Sequence, residues 1–235
     1  AKVSVFSSMN NLNDISMDER YSCLFGYTQK ELEDNFAEYI ESGASKTGIG
    51  KEEYLKKLKD QYDGYRFAVR SETVYNPVSI GMFFSKGGTS FDNYWVDTGN
   101  MKLLMDLSKK VNFNVDSSLE EPLDITDLTS FDIIGMAKSN VGIPQLKSLL
   151  LQSGYLTITG SEDGYSLMTD YPNAEVRSSF ASRLMNIYTG VDSDVSYSPE
   201  RILLAFANGN TEKAIAVIKS IFASVPYNLE VTRSE

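Results

Sequence analysis

The run Tyr62-Asp63-Gly64-Tyr65-Arg66-Phe67 brings a carboxylate and a guanidinium to one turn. Two readings stand side by side. Either Arg66 points at a nucleotide phosphate or a neighbouring subunit, or it pairs with Asp63 and braces the turn while Tyr62, Tyr65 and Phe67 pack. Tyr94 and Trp95, in Phe91-Asp92-Asn93-Tyr94-Trp95, offer faces on which a base or ligand stacks. The alternative is a core cluster with Phe83 and Phe84, since large rings dominate packing. Gly43-Ala44-Ser45-Lys46-Thr47-Gly48-Ile49-Gly50-Lys51 looks like a phosphate loop but fails its pattern, G-x-x-x-x-G-K-[ST]. Aligning Gly50-Lys51 puts Ser45 at the first glycine and Glu52, a negative charge, where the magnesium-binding hydroxyl belongs. The stretch is read as a flexible linker.

The sequence contains no histidine, which removes Ser-His-Asp and Cys-His catalysis and histidine-based zinc sites. Carboxylates, lysine, tyrosine and the single thiol of Cys23 remain for acid-base work. Glu120-Glu121 and the Asp192/Asp194 pair lie in polar stretches without a lysine or histidine beside them, and no D-x-[DN]-x-[DN]-G spacing occurs. No catalytic residue and no metal ligand is therefore assigned. One cysteine precludes an intrachain disulfide and fits a cytoplasmic location. No apolar run approaches a membrane span and the N-terminus has no signal-peptide pattern, so no membrane partner is expected.

With 235 residues, 42% apolar, the chain has ample material for a core, and its net charge of −10 disfavours a phosphate backbone as partner. The densest basic stretch, Lys51 to Arg70, has six cations against four acids, alternating in sign, which is the pattern of a solvated helix face.

The elements that position these residues read as mostly helical α+β. Met17 to Phe25 and Thr28 to Glu41 are expected to be helices, the second opened by a Thr28/Glu31 capping box. Ser42 to Gly50 reads as a loop and Glu52 to Tyr62 as a helix with Tyr54, Leu55 and Leu58 inward. Tyr65 to Val69 and Thr73 to Tyr75 read as a small hairpin, and Pro77 as the first position of a helix to about Phe84. Phe91 to Val96 is an aromatic loop or short strand, and Thr98 caps a helix from Met101 to Val111.

Further on, helical material around Leu123 to Ser139 leads to a helix from Pro144 closed by Gly154. Tyr155 to Thr159 and Tyr165 to Met168 then flank Gly160-Ser161-Glu162-Asp163-Gly164, a hairpin signal. This order resembles a winged-helix module with the hairpin as wing. Over residues 113–190 it has four Lys or Arg against ten Asp or Glu, a charge of −6, and its second helix offers only Lys147. Duplex DNA is disfavoured as a partner on that count. A C-terminal helical hairpin follows, one helix starting at Ser198-Pro199 and the next capped by Asn210.

Several short motifs, in order, resemble the AAA-ATPase-like family of bacterial P-loop ATPases. They are Val3-Ser4-Val5-Phe6-Ser7, Asn10-Asn11-Leu12-Asn13-Asp14-Ile15, the Tyr62–Phe67 run, Val74-Tyr75-Asn76-Pro77, Phe91 to Trp95 with Thr98-Gly99, Leu151 to Ile158 and Tyr171 to Arg177. The resemblance implies that 1–16 is the end of an ATPase core, 17–112 a helical lid-like domain and 113–190 a winged-helix-like domain. Residues 191–235 would then be a helical hairpin leading to a further domain, in many members a PD-(D/E)XK-type nuclease. The phosphate-loop lysine and the magnesium-binding acid are expected upstream of Ala1, so both ends read as cuts in a longer parent.

ATP and magnesium are thus expected for the parent and no cofactor for these residues, with Arg66 the one nucleotide-facing candidate. The expected function is the lid and winged-helix regulatory region of an ATPase, not catalytic alone, whose partners are the upstream core and the downstream domain. Two alternatives stay open. One is a module that binds a partner protein through the acidic winged helix and terminal hairpin. The other is a nuclease accessory region that touches nucleic acid through Lys51 to Arg70.

Overall fold

A computed structural model describes residues 15–95, 107–108, 111, 119–129, 142–161, 163–189, 211–212 and 215. Thr98 and the Val3 strand lie outside these, as does most of the helix Thr98 was expected to cap and of the Ser198 to Pro226 hairpin; the described 107–108, 211–212 and 215 within them are helical. Contacts divide the chain into Ala1–Arg177 and Ser178–Glu235, and the features below belong to the first unit apart from the latter part of the helix Ala174–Thr189.

The fold is mostly helical α+β. A short 3-10 turn, Glu19–Tyr21, stands where a helix over Met17 to Phe25 was expected, capped by the Asp18 carboxylate on the Arg20 N–H. Helix α1 (Gln29–Asn35) opens with the full Thr28/Glu31 capping box. The apolar stripe of Leu32, Phe36 and Ile40 predicts one helix, but the backbone breaks at Phe36 (φ −116°, ψ 18°). There the ring turns to stack on Phe84 at 5.3 Å between centroids. Helix α2 (Ala37–Thr47) then runs through most of the stretch expected to be a loop.

Gly43 explains that difference. A Cβ there would lie 2.0 Å from the Tyr54 hydroxyl, so this glycine is a close-packing site between α2 and helix α3 (Lys51–Tyr62) rather than a break. The phosphate-loop look-alike is accordingly helical through Thr47. Helix α4 (Pro77–Ser85) starts as the sequence predicts, with Asn76 accepting from the Val78 N–H and Pro77 in the first turn.

Helices α1 to α4 enclose a core of Leu32, Ile40, Tyr54, Leu58, Tyr62, Ile80 and Phe83, with Tyr94 added from the following loop. The rings of Tyr62, Phe83 and Phe91 lie 4.9 to 6.4 Å apart. Three phenols tie down the irregular stretch after α4: Tyr54 donates to the Gly88 carbonyl at 2.5 Å, Tyr94 to Ser90 at 2.9 Å and Tyr62 to Asp92 at 2.9 Å. The expected hairpin between Tyr65 and Tyr75 reduces to single bridges, Tyr65 with Val74 and Tyr75 with Tyr27.

Past the 90s, strand β1 (Leu123–Asp124) precedes helix α5 (Ile125–Thr129), which falls in the stretch expected to hold helical material. Helix α6 (Ile143–Gln152) ends in a Schellman motif, with the Tyr155 N–H on the Leu150 carbonyl, the Gly154 N–H on Leu151, and Gly154 at φ +81°. Strands β2 (Thr157–Ser161) and β3 (Ser166–Asp170) form the predicted hairpin, and β1 pairs with β3, giving an antiparallel sheet of order β1-β3-β2. Its small core is Leu123, Leu128, Ile158 and Leu167. Ile158 faces Thr169 and Gly160 faces Met168, so Thr159 is the extra residue of a bulge. Helix α7 (Ala174–Thr189) follows.

One contact joins the two halves of the first unit backbone to backbone. Gly64 has φ +101°, and a Cβ on it would lie 1.8 Å from the Pro172 carbonyl oxygen. Beside it, the Asn173 amide donates to the Asp63 carbonyl at 2.8 Å while its own oxygen accepts the Val176 N–H at 3.0 Å, capping α7. Gly64→Ala should therefore cost about 3 kcal/mol or more in urea unfolding, from a forbidden φ and a clash with backbone that cannot swing away. Gly81→Ala is the control: it sits inside α4 with nothing within 4 Å of its Cβ. It should stabilise by about 0.5 to 1 kcal/mol, the helix cost of glycine.

Candidate functional site

A cleft of about 320 Å³ opens beside this junction. Its walls come from the Tyr65–Phe67 segment, the Asn76-Pro77 cap of α4, Trp95, and the passage from the end of α6 into β2. The structure thus gathers six of the sequence-predicted residues, Tyr65, Arg66, Phe67, Asn76, Pro77 and Trp95, around one space. Tyr62, Asp63, Gly64 and Tyr94 lie elsewhere: Tyr62 and Tyr94 in the aromatic core, Asp63 and Gly64 in the turn against Pro172.

Local chemistry places each wall. The Arg66 backbone N–H donates to the Thr157 hydroxyl at 2.7 Å, which fixes the segment against the start of β2. The Arg66 guanidinium donates through Nη1 to the Thr159 carbonyl at 3.2 Å, a carbonyl carried by the bulge residue of the strand. Its Nε is shielded from solvent and has no hydrogen-bond partner among the described residues. The expected Asp63–Arg66 pair is absent among the described residues. Asp63 instead accepts from the Thr73 hydroxyl at 3.0 Å, with the Lys59 ammonium at 3.9 Å. Arg66 is drawn to the β2–β3 hairpin, and the turn is braced by threonine and lysine.

The neighbours Tyr94 and Trp95 part company. Tyr94 joins the core beside Tyr62, 6.1 Å between centroids, under the Lys86 ammonium at 4.5 Å. Trp95 turns the other way, toward Tyr155 at 5.0 Å and Tyr65 at 6.4 Å. Gly154 makes room for it, since a Cβ there would stand 3.3 Å from the indole and 3.5 Å from the Tyr65 ring.

Glu175 holds this arrangement in place, and the sequence did not mark it as a site residue. It is fully buried in the first turn of α7. Its carboxylate accepts the Trp95 N–H and the Ser79 hydroxyl, each at 2.7 Å, and the Tyr94 N–H. Burial pushes its pKa up, and these hydrogen bonds pull it partly back. Asp63 behaves alike: burial raises it, while the Gly64 N–H, Thr73 and Lys59 oppose. Asn173 and Thr157 are further positioning residues that sequence reasoning passed over. The Asn173-x-x-Val176 spacing is an N-cap signal that would have found the first. Nothing local would have found Glu175, whose partners are 80 to 96 residues away.

Three of the six cations of the basic stretch stand beside carboxylates, and the lysine of helix α6 is buried. Lys56, Lys57 and Lys59 stand 2.5, 3.4 and 3.9 Å from Asp60, Glu53 and Asp63. Lys147 is 1% exposed and donates to the Glu121 carbonyl; burial lowers its pKa. Among the described residues no group of three or more His, Cys, Asp or Glu suits a metal ion. No helix among them is long and apolar enough to cross a membrane.

No family model and no solved structure matches the chain. A curated relative is an uncharacterized protein in the vnfD 5′ region of Azotobacter chroococcum mcd 1, 31% identical over 236 residues. The match covers 97% of this chain and 40% of that protein, so the chain spans well under half the relative's length.

Asp63 and Glu175 set a pH dependence. Both are raised in the folded state above their ordinary values of 3.8 and 4.5. The folded chain therefore holds these protons longer than the unfolded one. Their contribution is fully present below those values and is lost as pH climbs through the folded pKa. Stability should fall with rising pH above about 4.5, and Glu175→Gln, whose carbonyl still accepts both N–H groups, should flatten part of that slope. Urea midpoints across this range check it, and an unchanged slope in the variant would place its source elsewhere.

Proposed function

We propose that this chain is the lid and winged-helix regulatory region of a bacterial AAA-type ATPase, not catalytic alone. In this reading ATP and magnesium bind a core that belongs to the parent protein, and the chain's partners are that core and a further domain. The observation that carries it is convergence. Motif residues far apart in sequence, Tyr65 to Phe67, Asn76-Pro77, Trp95 and Leu151 to Ile158, line one cleft. Motifs that share a resemblance and also share a surface read as one working unit.

The winged-helix part is supported by element order: edge strand β1, helices α5 and α6, then the β2–β3 hairpin with β3 central in the sheet. Among the described residues, the glycine-rich stretch that mimics a phosphate loop is helical through Thr47, which supports the absence of a nucleotide site there. A protein-binding module is the second reading. It is favoured by the exposure of Leu24 at 61% and Phe25 at 74%, side chains that a partner would cover. The nuclease-accessory reading is weakened by the ion pairs that occupy Lys56, Lys57 and Lys59.

Titration of this chain with ATP and magnesium should give no saturable heat, and a micromolar site with turnover would overturn the reading. Duplex DNA should bind no tighter than about 10⁻⁴ M at physiological salt, the non-specific range. Fluorescence anisotropy at two salt concentrations measures it, and tight binding with a steep salt slope would favour the nuclease-accessory role. In the parent protein, Arg66→Ala should lower the ATPase rate. An unchanged rate with a lower melting temperature would reduce Arg66 to a brace on the Thr159 carbonyl.

A further inference from the structure

The cleft has a charge pattern that the lid assignment does not require. Arg66 is its one charged lining residue among those described; no Asp, Glu or Lys joins it. In a chain with 32 acids and a net charge of −10, a cleft free of carboxylates around a guanidinium is a marked departure. The guanidinium takes part in no ion pair among the described residues, and its Nε is shielded from solvent without a partner. A permanent cation at the rim of a cleft without carboxylates leaves its charge to be matched by an anion that enters the cleft.

The rest of the lining fixes what carries that anion. Trp95, Tyr65, Phe67 and Phe25 supply aromatic surface, and Phe25 is 74% exposed at the cleft. Aromatic walls favour a flat ring. The volume of about 320 Å³ is at the small end of ligand pockets, which suits one or two rings and not a nucleoside triphosphate. A single cation in a negatively charged protein suits a monoanion over a polyanion.

We propose that this cleft binds a small aromatic monoanion, its ring against Trp95 and Tyr65 and its charged group on Arg66. The assignment does not rest on the lid reading. A protein of any function with this cleft would select the same chemistry, and the ATP titration above fails or succeeds separately.

Trp95 is the single tryptophan of the chain, so one indole N–H signal in a ¹⁵N–¹H spectrum reports the cleft. The probes are 3-phenylpropionate, its neutral counterpart 3-phenyl-1-propanol, and hexanoate as an anion without a ring. The wild-type chain should show a saturable shift of the Trp95 signal with 3-phenylpropionate. Its affinity should exceed that of the alcohol by about tenfold, the effect of one charge-assisted hydrogen bond, and should also exceed that of hexanoate. Arg66→Gln should remove the preference for acid over alcohol, with the remaining spectrum confirming the fold. Phe25→Ala, at an exposed position, should weaken acid and alcohol together.

No shift with the acid up to about 10 mM, where even weak binding registers, would overturn the proposal. So would equal binding of acid and alcohol, hexanoate as tight as the aromatic acid, or a preference that survives Arg66→Gln. If Arg66→Gln does not fold, the wild-type probe series and Phe25→Ala still decide.

Discussion

Gly64 and the Pro172 carbonyl meet with no space for a methyl group between them, and most of what surrounds the cleft depends on that contact. Two irregular backbone segments, one leaving α3 and one entering α7, touch directly. Any residue but glycine would drive them apart. The approach brings the Asn173 amide to the Asp63 carbonyl, and it sets α7 so that Glu175 reaches Ser79 and the N–H groups of Tyr94 and Trp95. A buried carboxylate without a cation is expensive, and here hydrogen-bond donors from two elements compensate for lost water. The aromatic core and the start of α7 are thereby docked through polar atoms as well as through apolar area.

The distribution of positive charge is set locally, mostly within single helices. Lysines on α3 face carboxylates one turn away, and Lys147 serves as an internal strut to Glu121. Exposed pairs of this kind stabilise little, but they occupy cations that would otherwise attract polyanions. Arg66 takes part in no ion pair among the described residues. The Thr159 bulge turns out one carbonyl for its guanidinium to grip, and Arg66 lines the cleft.

What was legible in the sequence is what local chemistry decides. The Thr28/Glu31 box, the Asn76-Pro77 start and the Gly154 stop each depend on atoms within one helical turn, and each stands where the residues predict. The β2–β3 hairpin followed from two strand-like stretches flanking the turn from Gly160 to Gly164. Misreadings arose where a distant partner decides. Gly43 reads as a breaker until Tyr54 is placed against it. The Leu32–Ile40 stripe reads as one helix until Phe84 draws the Phe36 ring aside. Pairing was one of two readings of Asp63 and Arg66, and it fails because Thr73 claims one and the bulged strand the other. The cleft was half legible: its motif residues were singled out, but Gly154, Thr157 and the buried Glu175 enter only through contacts across the fold.

The phenols over the 88–92 stretch give that stretch an unusual kind of order. Carbonyls 88, 90 and 92 alternate like those along one edge of a strand, and a row of tyrosine hydroxyls takes the place of a neighbouring strand's amides. A ladder made of side chains can be dismantled one rung at a time by removing single oxygen atoms, with every ring still filling its place in the core. The path of the chain toward Trp95 is therefore adjustable independently of the helices beneath it. Natural variation between tyrosine and phenylalanine at 54, 62 and 94 would retune the geometry of the cleft and leave the scaffold unchanged.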